Sequence, residues 1–159
     1  MILAIDPGAN GHGAALIGRD GALLSAAYWE AGDDDIYRSW VIATQPADDP
    51  ALDAVVELPQ AYALPLSKGG VAGHNDLIDV AFAAGWIARA GGAHRHRVTL
   101  VRPAAWKGQV PKEVMVCRVV DRLSEDEHAR VRLPTRRGLA HNLWDAVGIG
   151  LWKVGRLGR

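Results

Sequence analysis

Three carboxylates stand where carboxylates are costly. Asp6 closes the apolar run of residues 1–5 and is followed by Pro7-Gly8, with Gly11 and Gly13 close behind. Glycines at that point let a bulky charged ligand approach the backbone, although Asp-Pro-Gly is equally an ordinary turn sequence. No Gly-Lys-Ser/Thr follows, so the segment is not a nucleotide phosphate loop. Glu57 ends the run Val55-Val56-Glu57-Leu58-Pro59. A lone carboxylate among such neighbours needs a cation or hydrogen bonds, unless it sits on an edge strand and faces water. Asp145 lies in His141-Asn142-Leu143-Trp144-Asp145-Ala146. Helical spacing puts His141 and Asn142 on its side, while Leu143 and Trp144 point elsewhere; the plainer alternative is capping by Asn142 beside a solvated aspartate. Carboxylates gathered from strand ends and a helix suit Mg²⁺, a hard cation that prefers oxygen donors. Two such ions about 4 Å apart would activate a water and stabilise a departing 3′ oxygen in phosphodiester hydrolysis.

The elements that must position these groups follow from periodicity. Residues 2–5, 14–17 and 22–28 alternate or run apolar and read as a three-stranded meander, with Gly18-Arg19-Asp20-Gly21 as a hairpin turn. Residues 53–58 give a fourth strand and 98–101 a fifth. Leu77, Ile78, Ala81, Phe82, Gly85 and Trp86 recur at helical intervals within 75–90, and further helices are expected over 111–123 and 141–154. A short amphipathic helix is expected around Ile36, Tyr37, Trp40 and Val41. The order predicts an α/β layer fold with a mixed sheet between helices. With no repeat and no Pro- or Ser-rich linker, residues 1–159 read as a single domain with a short basic C-terminal tail containing Lys153, Arg156 and Arg159.

Composition narrows the function classes. The chain has 159 residues, 49% hydrophobic, enough for one buried core. No apolar run is long enough for a membrane span or a secretory signal, so a cytoplasmic location is expected. A single cysteine, Cys117, excludes an internal disulfide or a thiolate zinc cluster and reads as a small core residue. Net charge is zero, yet residues 1–60 hold ten acids and two bases, whereas residues 61–159 hold eight acids and sixteen bases. A neutral total can therefore conceal a basic face for a phosphate backbone. Asp33-Asp34-Asp35 reads as a solvated helix start, and His94-Arg95-His96-Arg97 as a solvated turn without a third ligand. Of the six tryptophans, most are expected in the core or an interface.

Ile5-Asp6-Pro7-Gly8, the apolar-apolar-Glu57 strand, Val101-Arg102-Pro103-x-x-Trp106-Lys107, and the C-terminal set His141, Asn142, Asp145, Ala146 and Gly148 together resemble RuvC-type Holliday junction resolvases, especially short phage forms. The resemblance spans most of the chain. It implies an RNase H-like fold with a mixed five-stranded sheet flanked by helices, a symmetric homodimer, Mg²⁺ or Mn²⁺ with two ions per site, and paired nicks across a four-way DNA junction. Asp6, Glu57 and Asp145 match the family's metal-binding carboxylates. The bacterial pattern has Asp or His three residues before the last Asp; here that place is Asn142, and His141 is one residue earlier. His141 is favoured because imidazole ligates metal and transfers protons, while the Asn142 amide oxygen is also an acceptable ligand. Lys107 and Lys112 resemble basic residues held near the scissile phosphate. The long 59–73 segment contains Tyr62, read either as a junction wedge or base-stacking residue or as packing, and Lys68. Arg102, Arg132, Arg136 and Arg137 are expected phosphate contacts. The 75–90 helix, with Trp86 among small residues, is expected at the dimer interface.

Three other readings compete. Another RNase H-like nuclease, acting on flaps or RNA–DNA hybrids, would share the same residues and separate only by substrate. A catalytically inactive DNA-binding module has no reason to concentrate acids where phosphate must lie. An actin-like nucleotide-binding fold would need a second phosphate loop and roughly twice this length.

Overall fold

The computed structural model describes residues 1–30, 32–33, 52–59, 78, 80–85 and 97–157. Tyr62, Lys68, Trp40, Trp86, His94 and His96, and most of the expected 36–41 and 75–90 helices, lie outside the described residues.

The meander forms as its alternation predicts: β1 (Ile2–Gly8), β2 (Gly11–Ile17) and β3 (Leu23–Glu30) pair antiparallel in sequence. A Gly18 N–H to Ala22 carbonyl bond of 2.8 Å closes the Asp-Gly turn between β2 and β3. β4 (Asp53–Glu57) joins β1 in parallel, and β5 (Arg97–Val101) joins β4 in parallel. Among the described residues the sheet has six strands, not the expected five, in the order β5-β4-β1-β2-β3-β6. The extra strand, β6 (Val131–Arg132), pairs parallel with β3 and is two residues long, too short to show alternation.

After β5 the chain makes a one-turn helix α1 (Pro103–Trp106), then α2 (Lys112–Val120), the short α3 (Glu125–His128), a 3₁₀ turn (Arg137–Leu139) and α4 (Ala140–Lys153). Neither α1 nor α3 has enough turns to produce a period. Successive strand residues face opposite sides, and the core divides accordingly. Ala4, Ala15, Ile17 and Val55 pack beneath α4, α2 and Trp106. Leu3, Ile5, Ala14, Leu16 and Val56 face the other side, where Ala84 of the helical residues 80–85 covers them. Cys117 is not in the core, contrary to its expected place: on α2 the pair Met115 and Val119 faces inward, and Cys117, midway between them, is exposed.

The tail is also less free than its charge suggested. Arg156 folds back onto the buried Glu127, with bonds of 2.6 and 3.0 Å, and onto the carbonyls of Gly21 and Arg122. Glu127 meanwhile completes a capping box with Ser124 and accepts from the Leu23 N–H. These bonds, Arg156 foremost, pull the Glu127 carboxyl down to about 2. Among the described residues no helix is long and apolar enough to cross a membrane.

Candidate active site

Strand register brings the first two carboxylates together. β1 and β4 pair from Ile2 with Asp53 through Ile5 with Val56, so Asp6 and Glu57 occupy the next rung. Each lies two residues beyond a side chain packed under α4, Ala4 and Val55, and therefore faces α4. The partner of Asp6 on β2 is Gly13. A Cβ there would collide with the Asn142 carbonyl and lie 2.6 Å from the Leu143 Cα. The missing side chain lets α4 cross close to the sheet and places Asp145 above Asp6 and Glu57. All three are buried, at 7%, 8% and 6% exposure for Asp6, Glu57 and Asp145.

Their charges are only partly balanced. Lys107, just past α1, donates to Asp145 Oδ2 at 2.8 Å and stands 3.9 Å from Glu57 Oε1. Its ammonium also lies 4.8 Å from the Trp106 ring centroid, a cation–π distance. The Trp106 indole N–H donates to Glu57 Oε2 at 2.5 Å. Burial pushes the Asp6 carboxyl well above the usual range, with further upward pushes from Glu57 and Asp145 that Lys107 and Lys112 oppose. Burial also raises Glu57 to about 7, against the pull of Lys107 and the Trp106 bond. Burial would lower the Lys107 ammonium, but Asp145, Glu57 and Asp6 together raise it.

The expected fourth residues separate in space. His141 Nδ1 lies 2.7 Å from the Gly138 carbonyl, which can only accept, so Nδ1 carries the proton and Nε2 is the ring's acceptor. Asn142 is buried, with its amide lying over Gly8 at the end of β1. It does not cap α4, whose N-cap is Leu139. Arg102, Lys112, Arg132, Arg136 and Arg137 are all exposed. Arg130, part of the same basic run, instead donates to the Leu23 carbonyl at 2.8 Å. The hydrogen bond from Trp106 to Glu57 was not legible in the sequence; its one signal is a tryptophan immediately before Lys107.

Oxygen donors on a common face suit a hard cation, and three ionised carboxylates against one ammonium leave an excess of negative charge that a divalent ion would offset. Burial, which raises the Asp6 and Glu57 carboxyls, makes their ionised forms costly, a cost that a bound cation would offset. Among the described residues no three His, Cys, Asp or Glu side chains already stand as a formed metal cluster; Asp145 is turned onto Lys107. In chemistry and burial the donor set fits a divalent cation, and Asp6, Glu57 and Asp145 are the residues that could hold it.

No family model matches the sequence, and no curated protein matches it. Among solved structures, T. thermophilus RuvC in complex with Holliday junction substrate is similar at a TM-score of 0.60 and 20% identity, over 99% of this chain and 95% of that one. A second Thermus thermophilus RuvC structure is similar at 0.52 and 20% identity, over 95% of this chain and 91% of that one. The mixed α/β sheet flanked by helices is thus the fold seen in the RuvC structures.

Proposed function

We propose that this protein is a structure-selective endodeoxyribonuclease that resolves four-way DNA junctions by paired, metal-dependent phosphodiester hydrolysis. The observation that carries this reading is the burial of Asp6, Glu57 and Asp145 on one face, with Lys107 among them. A binding module gains nothing from buried acids beside a polyanion. The similar RuvC chain solved with Holliday junction substrate supports a branched substrate.

A divalent ion, Mg²⁺ or Mn²⁺ and in this reading two per site, supplies Lewis acidity toward the phosphodiester. Asp6, Glu57 and Asp145 hold it, and Lys107 offsets their charge and that of the arriving phosphate. His141, with Nδ1 anchored on Gly138, offers Nε2 as a ligand or proton acceptor; Asn142 offers an amide at the end of β1. Arg102, Lys112, Arg132, Arg136 and Arg137 grip phosphates, joined by Lys68 and by Tyr62 as the residue that enters the junction. Because a junction has two symmetry-related scissile strands and the described residues form one such site, the working unit is a homodimer.

The test is cleavage of synthetic four-way junction, flap and RNA–DNA hybrid substrates with Mg²⁺, Mn²⁺ or chelator. Symmetric paired nicks in the junction, lost on chelation, are expected. Asp6→Asn and Asp145→Asn should remove cleavage and keep junction binding. Cleavage confined to flaps or hybrids would reassign the substrate, and no cleavage of any of them would overturn the nuclease reading.

A further inference from the structure

The Trp106 side chain is held at both of its edges. Its benzo edge fills the space over Gly148, where an added Cβ would lie 2.7 Å from Cζ3, and the same space is bounded by Val119 Cγ2 at 3.0 Å. α1 carries it there from the end of β5, with Pro103 at the helix start fixing the entry. With the ring pinned, the pyrrole N–H is aimed at Glu57 Oε2, 2.5 Å away. The other oxygen, Oε1, faces Lys107 Nζ at 3.9 Å, and that ammonium also contacts Asp145 Oδ2. The two oxygens of Glu57 therefore do different things. One is held by the indole, and the other faces the space shared with Asp145.

We propose that Trp106 is a positioning residue that restricts Glu57 to a single donor oxygen, biasing the site toward small octahedral cations and against Ca²⁺. This rests on the metal-dependent reading above. The physical reason lies in coordination demands. Mg²⁺ requires near-ideal octahedral geometry at about 2.1 Å and takes carboxylates one oxygen at a time, whereas Ca²⁺ takes six to eight oxygens at about 2.3–2.6 Å and readily uses a carboxylate through both. An N–H on Oε2 draws charge from that oxygen and fixes the carboxylate plane, so swinging both oxygens of Glu57 onto one ion would weaken or break this hydrogen bond. Burial of Trp106 at 5% exposure keeps water from substituting for the indole.

The test is calorimetric titration of the DNA-free full chain with Mg²⁺, Mn²⁺ and Ca²⁺ chlorides, comparing wild type, Trp106→Phe and, as an indole-loss control away from Glu57, Trp144→Phe. Trp106→Phe keeps an aromatic edge toward Gly148 and lacks the N–H. Its Ca²⁺ to Mg²⁺ affinity ratio should shift toward Ca²⁺ by about three- to tenfold, the range of one hydrogen bond, and Trp144→Phe should leave the ratio unchanged. A ratio unchanged in Trp106→Phe, whether both affinities fall together or neither does, would overturn the proposal and reduce Trp106 to packing. Should Trp106→Phe fail to fold, site-specific replacement by benzothienylalanine, which keeps the shape and exchanges N–H for sulfur, must give the same shift. If the wild type binds neither Mg²⁺ nor Mn²⁺, the metal-dependent reading itself fails, a result distinct from an unchanged ratio.

Discussion

Replacing Glu57 by Gln should make the protein more stable at alkaline pH, although it removes a charge that the proposed metal site requires. The Glu57 carboxyl is raised from its ordinary 4.5 to about 7, chiefly by burial. At 1.36 kcal/mol per unit, the folded state carries a penalty of up to about 3 kcal/mol when this group is ionised. For an acid whose folded value is raised, the penalty is absent below the unfolded value near 4.5, grows as pH rises through the window, and is complete above about 7. Glutamine never ionises, and its carbonyl still accepts from Trp106, but its buried NH₂ beside Lys107 lacks a good partner, at a cost of about 1–2 kcal/mol. A net gain of about 1–2 kcal/mol remains at pH 8. For a domain of this size that raises Tm by about 3–6 °C. The gain should disappear as pH approaches 4.5. Thermal melts of both proteins between pH 4.5 and 8.5 measure it. Excess Mg²⁺ should then reverse the order, because a ligand that binds only the folded wild type stabilises it by mass action, about 2.7 kcal/mol at a hundredfold excess over Kd. A variant no more stable than wild type at pH 8, or a gain as large at pH 4.5, would refute the reasoning.

Single-turnover cleavage of a saturated junction should fall by one or more orders of magnitude in His141→Ala, the range of general acid–base help, and by less in Asn142→Ala; a larger loss for Asn142→Ala reverses the assignment. Gly13→Ala should destabilise by about 1–3 kcal/mol in thermal melts, because the new methyl meets the backbone of α4 and no rotamer relieves it. Glu127 is held down at about 2, so its contribution is present above 4.5 and lost as pH falls toward 2. Arg156→Ala should remove roughly 1–2 kcal/mol at pH 7, after screening at the partly exposed arginine, and flatten the acid limb of a Tm–pH profile.

Strands β1 to β5 were legible because each shows either alternation or a bounded apolar run, and Asp6 and Glu57 because an acid within such a run is anomalous. α4 was legible from its apolar period, and the place of Asp145 followed. What escaped depended on contacts between distant residues or on elements too short for a period. β6 exists only because its two residues meet Ala26 and Ala27 of β3. The Trp106 bond joins residues 49 apart, and the clasp of Glu127 by Arg156 joins residues 29 apart. Helical spacing treats His141 and Asn142 alike, yet they differ once β1 lies under one of them: Asn142 is buried against Gly8, while His141 turns to Gly138.

Topology also shows where the exposed arginines of a chain of zero net charge gather. β1, β4 and β5 are parallel; β3 runs with them because two antiparallel pairings separate it from β1, and β6 is parallel to β3. Five carboxyl ends therefore share one edge of the sheet. Asp6 and Glu57, from the acidic N-terminal part of the chain, lie buried at that edge. Arg102 follows the end of β5 and Arg132 closes β6, so both reach the same edge from the basic part. Arg136 and Arg137 arrive beside it in the segment that leads into α4, whose first turn crosses Gly8 and Gly13. Asp6, Glu57 and Asp145 are thus withdrawn from solvent, while Arg102, Arg132, Arg136 and Arg137 stand exposed at that edge together with Glu30 at the end of β3. On the proposed reading, a phosphate backbone approaching this edge would meet these arginines first, and the carboxylates only where a strand is held against the buried site.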